Sequence, residues 1–260
     1  MKQVNIKEYF NQEMQRLRDT RLVAPSLMIV DATSGDAANQ IYIRNKMKDF
    51  DAVGWKAEVF KVSDSAELKK LLGGVQKRGF TSVIVQMPVA PHIEFTYDML
   101  SPLVDADGLA PASKVMPATV RGIIDYLDEC GFEYEGKSAV VLGRSDIVGK
   151  PMAKALLDKN MTVSVCHSKT PRGRKLELLE NAHLVISATG QPGSLVREDC
   201  HDAIVIDVGI SRVDGKICGD FIENTTITEV TGAWSSPVPG GVGLLTRLGL
   251  MKNCLELANG

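Results

Sequence analysis

The chain has 260 residues, of which 44% are hydrophobic and 24% charged, and its formal net charge is -2. That suffices for two α/β domains or one large unit, and it supplies no basic field for nucleic acid. The apolar runs are too short to span a bilayer and Met1-Lys-Gln-Val-Asn-Ile-Lys-Glu8 lacks the apolar core of a secretion signal, so a cytoplasmic protein with no membrane or nucleic-acid partner is expected. Cys130, Cys166, Cys200, Cys218 and Cys254 are scattered singly, the pattern of reduced thiols, and His92, His167, His183 and His201 show no ligand pairing, so no metal site is expected.

From Ile6 to Leu17, Tyr9, Phe10, Met14 and Leu17 recur at helical spacing. Ser26 to Val30 reads as a buried strand, Ser34-Gly-Asp36 as a turn and N-cap, and Ala37 to Val53 as a helix. A strand over Lys56 to Val62, a helix near Ser65 to Lys77 and a strand over Ser82 to Gln86 follow, before the prolines of Met87-Pro-Val-Ala-Pro91 stop regular structure. This βαβαβ order predicts a mostly parallel sheet whose ligands gather beyond the carboxyl ends of its strands. Asp105 to Pro111 is polar and turn-rich, and marks the crossing into a second domain. There the spacing predicts a helix over Pro117 to Cys130, strands over Ser138 to Leu142, Met161 to Cys166, His183 to Ser187 and Ala203 to Val208, and helices over Val148 to Asp158 and near Lys175 to Leu179. The loop Pro237-Val-Pro-Gly-Gly-Val-Gly243 precedes a closing helix over Leu244 to Leu257.

The second domain opens on a strand, a glycine turn and a helix, Val140-Val-Leu-Gly-Arg-Ser-Asp-Ile-Val-Gly-Lys-Pro-Met152. Gly143 permits a sharp turn, Gly149 permits close packing of helix on strand, and the helix N-terminus offers free N–H groups to a phosphate. Glycines also occur at such junctions for local reasons, and the spacing is not the usual Gly-x-Gly-x-x-Gly. About 20 residues further on, where an acid would bind a ribose 2′-hydroxyl, the chain reads Ser164-Val-Cys-His-Ser-Lys-Thr170. Ser168, Lys169 and Arg144 suit a 2′-phosphate instead, which favours NADP over NAD.

In the first domain Tyr42 and Lys46 are four apart on one helix face, so a ring that stacks on a flat ligand could stand beside a lysine that moves a proton; the alternative is a half-buried Tyr and a solvated Lys. Gln86 ends a strand, where it could touch a ligand or cap a loop. Asp105 and Asp107 could be acids, substrate clamps or turn residues.

Taken together, Gln40-Ile-Tyr-Ile-Arg-Asn-Lys46, Val83-Ile-Val-Gln-Met-Pro-Val89, Asp105-Ala-Asp-Gly108, Gly143 to Met152, His167-Ser-Lys-Thr170, Ala188-Thr-Gly-Gln-Pro192 and Pro237 to Gly243 resemble the bifunctional methylenetetrahydrofolate dehydrogenase/methenyltetrahydrofolate cyclohydrolase family, in order over nearly the whole chain. The resemblance implies an α/β fold of two domains: a folate-binding domain, residues 1–112 with 240–260, and a Rossmann-type NADP-binding domain, residues 113–239, with the C-terminal helix returning to the first. It implies Lys46 as the catalytic lysine, Tyr42 stacked on the folate, Gln86 orienting Lys46, and Asp107 holding the pterin. Val85, Met87 and the loop Pro239, Gly240, Gly241, Val242 and Gly243 would line the folate site, and Gly143, Arg144, Ser145, Ser168 and Ile210 would bind NADP. It further implies tetrahydrofolate derivatives as ligands and a homodimer.

The sequence departs from the family pattern at Val104 and Asn39, where lysine and serine are usual, at Leu244-Leu245, and at Pro117-Ala-Thr-Val120, and it lacks most of a segment between Gly108 and Pro117. Two other readings are a monofunctional dehydrogenase and a non-catalytic folate- or nucleotide-binding regulator.

Overall fold

The computed structural model describes residues 3–33, 35, 37–200, 202–222 and 234–260. Ser34 and Asp36, read as the turn and N-cap before the second helix, lie outside the described residues. The chain forms two compact units, Phe10–Ala118 with Arg247–Gly260, and Met1–Tyr9 with Thr119–Thr246. Helix α1 (Ile6–Arg18) contributes to both.

In the first of these units, β1 (Ser26–Asp31), α2 (Ala37–Ala52), β2 (Lys56–Lys61), α3 (Ser65–Leu72) and β3 (Ser82–Val85) follow one another. The sheet is wholly parallel in the order β2-β1-β3, with Leu27 beside Ala57 on one side and Ser82 on the other. β1 and β3 are apolar runs buried on both faces, as central parallel strands must be, whereas β2 is an edge with alternating charge. The helix expected to reach Lys77 stops at Leu72. Gly73-Gly74 follow, whose backbone entropy opposes helix, and only a 3-10 turn, Gln76–Arg78, forms beyond them. Past β3 the chain returns beside it: the Val83 amide donates to Val104 at 2.7 Å and the Ala106 amide to Val83 at 3.1 Å, forming a parallel bridge between Val83 and Asp105.

The second unit holds α4 (Ala118–Glu129, beginning at the boundary), β4 (Ser138–Leu142), α5 (Gly149–Asp158), β5 (Thr162–Cys166), α6 (Arg172–Glu180), β6 (Leu184–Ser187), β7 (Leu195–Val196), β8 (Ile204–Asp207), β9 (Ser211–Val213), β10 (Lys216–Cys218) and β11 (Phe221–Ile222). Its main sheet is parallel in the order β5-β4-β6-β8. The strand order reverses between β4 and β6, so a crevice opens beyond their carboxyl ends, the usual ligand position in an open α/β sheet. The final helix α7 (Val242–Asn259) begins in this unit and, from Arg247 onward, belongs to the other. There Arg247 grips Asp49 with two hydrogen bonds, 2.5 and 2.7 Å, and Lys252 pairs with Glu13 at 2.6 Å, so the C-terminal helix does return to the first domain. β7 and β9 to β11 have two or three residues each, too few to leave a periodic pattern in the sequence.

Candidate active site

Of the residues expected to serve folate, Tyr42, Lys46, Val85, Gln86, Met87 and Asp107 lie in the unit of the β2-β1-β3 sheet. Gln86 directly follows β3, and its amide donates to Val30 at 2.9 Å, which keeps it beside the end of β1. Its side chain is fixed at both ends: Nε2 donates to the Met87 carbonyl at 2.9 Å, leaving Oε1 to accept from Lys46 Nζ at 2.9 Å. Lys46 stands on α2, whose start is tied to β1 by Gln40 Nε2 donating to Asp31 Oδ2 at 2.9 Å. Burial alone would raise the Asp31 pKa, yet hydrogen bonds from Thr33 and Gln40 outweigh it and hold the carboxyl below its usual range.

Burial pushes the Lys46 ammonium below its ordinary pKa, with Asp107 supplying the main opposing attraction. Burial likewise raises Asp107 to about 6; Lys46 pulls it down and Asp105 pushes it further up. The pair is therefore a base and an acid brought toward neutrality in one site, the condition that general acid–base chemistry needs. Tyr42, one turn before Lys46 on α2, stays 42% exposed, so its ring face is open to a ligand. Lys46, Gln86, Asp107 and Tyr42 thus belong to one unit, with Val85 ending β3 and Met87 following Gln86.

Three supporting residues complete the surroundings: Asp105, whose role the sequence left open, and Cys254 and Asn253, which it did not single out for the site. Asp105 is fully buried, and its Oδ2 accepts from the Leu109 and Ala110 amides, each at 2.7 Å, which makes it a loop organiser where the sequence left acid, clamp and turn open. Cys254 on α7 lies near Lys46, and burial pushes its thiol up to about 12, so it is a neutral group there. Asn253 beside it is also fully buried. The visible signal was a polar residue interrupting the apolar face of the closing helix.

The nucleotide-type residues lie in the other unit, at the β4/β6 switch. The Gly143 amide donates to Cys166 and the Ala188 amide to Leu142, both at 2.8 Å. Gly143 has φ 117°, and a Cβ there would run into the Ala188 carbonyl; a Cβ on Gly149 would strike the Gly143 carbonyl. Both positions thus require glycine, because the turn packs against the end of β6 and the start of α5 packs against the turn. The free N–H groups expected at the start of α5 are taken up within the turn: the Lys150 amide donates to the Ser145 carbonyl at 3.0 Å and Pro151 has none. Ser145 Oγ accepts from the Val148 and Gly149 amides at 3.2 and 3.3 Å, shaping the first turn of α5. Arg144, Ser168 and Lys169 are exposed, and Ile210 is 50% exposed after β8. Two buried acids fix the surrounding loops: Asp220 Oδ2 accepts from the Thr189 and Gly190 amides at 2.6 and 3.2 Å, and Asp207 accepts from those of Gly209, Asp220 and Phe221. Pro239, Gly240 and Gly241 lead into α7, which already begins at Val242 and so takes in Val242 and Gly243, expected to belong to the loop; all five lie in this same unit.

Residues 2–107 match the catalytic domain and residues 117–260 the NAD(P)-binding domain of tetrahydrofolate dehydrogenase/cyclohydrolase. The chain belongs to that family. Residues 108–116, the shortened connection, lie between the two matches. The bifunctional protein FolD of Streptococcus thermophilus is 34% identical over 272 aligned positions, covering 98% of this chain and 94% of that one. Its aligned span exceeds 260 positions, so that relative carries residues this chain lacks. The crystal structure of the bifunctional FolD dehydrogenase/cyclohydrolase of Campylobacter jejuni superposes with a TM-score of 0.84 at 32% identity, covering 97% of this chain and 94% of that one. The Trypanosoma brucei family member, solved with NADP cofactor and an inhibitor, also gives 0.84, at 27% identity, covering 98% of this chain and 96% of that one. The two-domain α/β fold of this family is the fold found here.

Among the described residues, no group of three or more His, Cys, Asp or Glu side chains gathers as a metal site, and no helix is long and apolar enough to cross a membrane.

Proposed function

We propose that the protein oxidises 5,10-methylenetetrahydrofolate to the 5,10-methenyl form with NADP and hydrolyses that product to 10-formyltetrahydrofolate. The observation that carries this reading is the Lys46–Gln86 hydrogen bond beside Asp107, in the half of the chain that matches the family's catalytic domain. NADP suits the other half, because Gly143 and Gly149 let the turn pack tightly at the strand-order switch of the parallel sheet and Arg144 and Ser168 offer donors to a 2′-phosphate. When bound, NADP supplies the acceptor for the hydride leaving the methylene carbon.

Each residue has a role in this scheme. Gly143, Arg144, Ser145, Ser168 and Ile210 hold the nucleotide. Tyr42 stacks on the folate, Asp107 holds the pterin, and Val85, Met87 and the Pro239, Gly240, Gly241, Val242 and Gly243 loop line the folate site. In the hydrolysis, water attacks the methenyl carbon and Lys46, its charged form disfavoured by burial, takes the water proton. N5 receives that proton as its bond to carbon breaks, the hydroxyl proton passes to solvent, and the formyl C=O forms. Gln86 aims Lys46 throughout. The functional division follows the chain, with residues 1–112 and 240–260 handling folate and 113–239 handling NADP. The free thiols support a cytoplasmic location, and family likeness supports a homodimer, which light scattering would check.

The test is the absorbance change on mixing the protein with methylenetetrahydrofolate and NADP, followed by separate measurement of methenyl decay. Methenyl formation without accelerated decay would instead establish a monofunctional dehydrogenase, and neither would leave only a binding protein. The bifunctional relatives and the retained Lys46 favour both steps.

A further inference from the structure

The Asn253 side chain reaches from α7 to both ends of the loop that carries Asp107. Its Nδ2 donates to the Ala106 carbonyl and to the Met116 carbonyl, each at 2.8 Å, so both amide hydrogens are spent on that loop. Ala106 immediately precedes Asp107, and Met116 ends the shortened connection. Between them Gly108 has φ 72° and lies so close to the Met116 carbonyl that a Cβ would overlap it. The Ala118 amide closes the loop by donating to the Asp107 carbonyl at 3.0 Å.

An ionised carboxylate gains by turning to water unless its backbone is held, and Asp107 is held beside Lys46. We propose that Asn253 is a positioning residue for the folate chemistry: by clamping the Ala106 and Met116 carbonyls, it holds Asp107 against Lys46 and acts on the substrate through Asp107. This rests on the reading of Asp107 as the residue that holds the pterin. The titratable groups facing Asp107 are Lys46 from α2, Asp105 from its own loop, Tyr97 from the 3-10 turn Tyr97–Met99, and Cys254 from α7. Burial raises both Tyr97 and Cys254, which stay neutral near pH 7.

Asn253→Ala removes both donors. It should weaken calorimetric binding of tetrahydrofolate by at least roughly tenfold, leave the NADP Kd within about twofold, and shift the acid limb of the cyclohydrolase kcat/KM profile downward as Asp107 relaxes toward solvent. In an Asp107→Asn background the same substitution should weaken folate binding by less than about threefold, since a residue acting through Asp107 has little left to disturb. A merely structural Asn253 would lower Tm and the active fraction, leave the acid limb in place and give additive losses; that result overturns the proposal. Should Asn253→Ala fail to fold, Asn253→Ser, which keeps one donor, is measured below its Tm on the same criteria. An unsubstituted protein without activity would refute the enzymatic reading itself, whereas an active one with additive losses would refute only the role of Asn253.

Discussion

Lys46 Nζ lies 2.9 Å from Gln86 Oε1, and this single hydrogen bond joins the helix after β1 to the end of β3. The Gln86 amide is anchored on the Met87 carbonyl, so its oxygen cannot turn away without losing a second bond. A neutral acceptor fixes the lysine without adding the charge that would hold its proton.

Lys46→Met should therefore abolish methenyl hydrolysis, a loss of about 100-fold or more for a missing general base, while NADP binding changes little. Gln86→Glu should also slow the hydrolysis, for the opposite reason: a carboxylate beside the ammonium raises the Lys46 pKa, so less neutral base is present at a given pH and the rise of the rate with pH moves upward. Hydrolysis at the unsubstituted rate in Lys46→Met would remove the lysine from the mechanism.

Asp107 titrates in the same site. Burial raises it from 3.8 to about 6 despite Lys46, so between these values the folded protein binds a proton more tightly than the unfolded chain does. Its contribution to stability is fully present below about pH 4 and is lost as pH rises through about 6. Function runs the other way: protonation below about 6 removes the counter-charge of Lys46 and the carboxylate that holds the pterin. KM for the folate should rise on acidification through this range, and Asp107→Asn should flatten that rise while raising KM at pH 7. An acid limb unchanged in Asp107→Asn would assign the titration elsewhere.

Arg144 is exposed in the turn that Gly143 makes after β4. A charge-assisted contact contributes on the order of 1.5–3 kcal/mol, so the protein should prefer NADP to NAD by at least roughly tenfold, and Arg144→Ala should erode the preference through NADP affinity alone. Equal affinities for the two nucleotides in the unsubstituted protein would contradict this.

Much of this arrangement was legible because its signals are local. The buried strands are apolar runs of the right length, Gly143 and Gly149 sit where no side chain fits, and Tyr42 and Lys46 share a face by helical spacing alone. The parallel order then brings Gln86 to Lys46 from 40 residues away. What stayed hidden depends on contacts across the chain. Asn253 acts on Ala106 from 147 residues away, and nothing near it in sequence announces the partner. The break of α3 at Gly73-Gly74 was visible in composition but was outweighed by the helical spacing that resumes after it.

The shortened connection after Asp107 offers the last prediction, and the structure dictates where to make it. Leu109 and Ala110 give their amides to Asp105, and Gly108 packs on Met116, so residues inserted directly after Gly108 would pull apart the loop that presents Asp107. Pro111 and Ala112, by contrast, are exposed; the Ser113 amide donates to Ala110 across that point, while the bond from the Ala118 amide to Asp107 joins the two ends of the connection and need not break. A family-length segment placed between Ala112 and Ser113 should leave the catalytic groups where they are and add protein able to cover bound ligand. At about 25 cal/mol per Å² of apolar surface, modest extra burial lowers KM for folate or NADP, and because ground and transition states gain alike, kcat should stay within roughly a few-fold. The same segment placed after Gly108 should lower kcat by displacing Asp107. If the unmodified chain is inactive and insertion at Ala112 restores turnover, the missing segment is what assembles the catalytic site, and the local geometry of Lys46, Gln86 and Asp107 is insufficient without it.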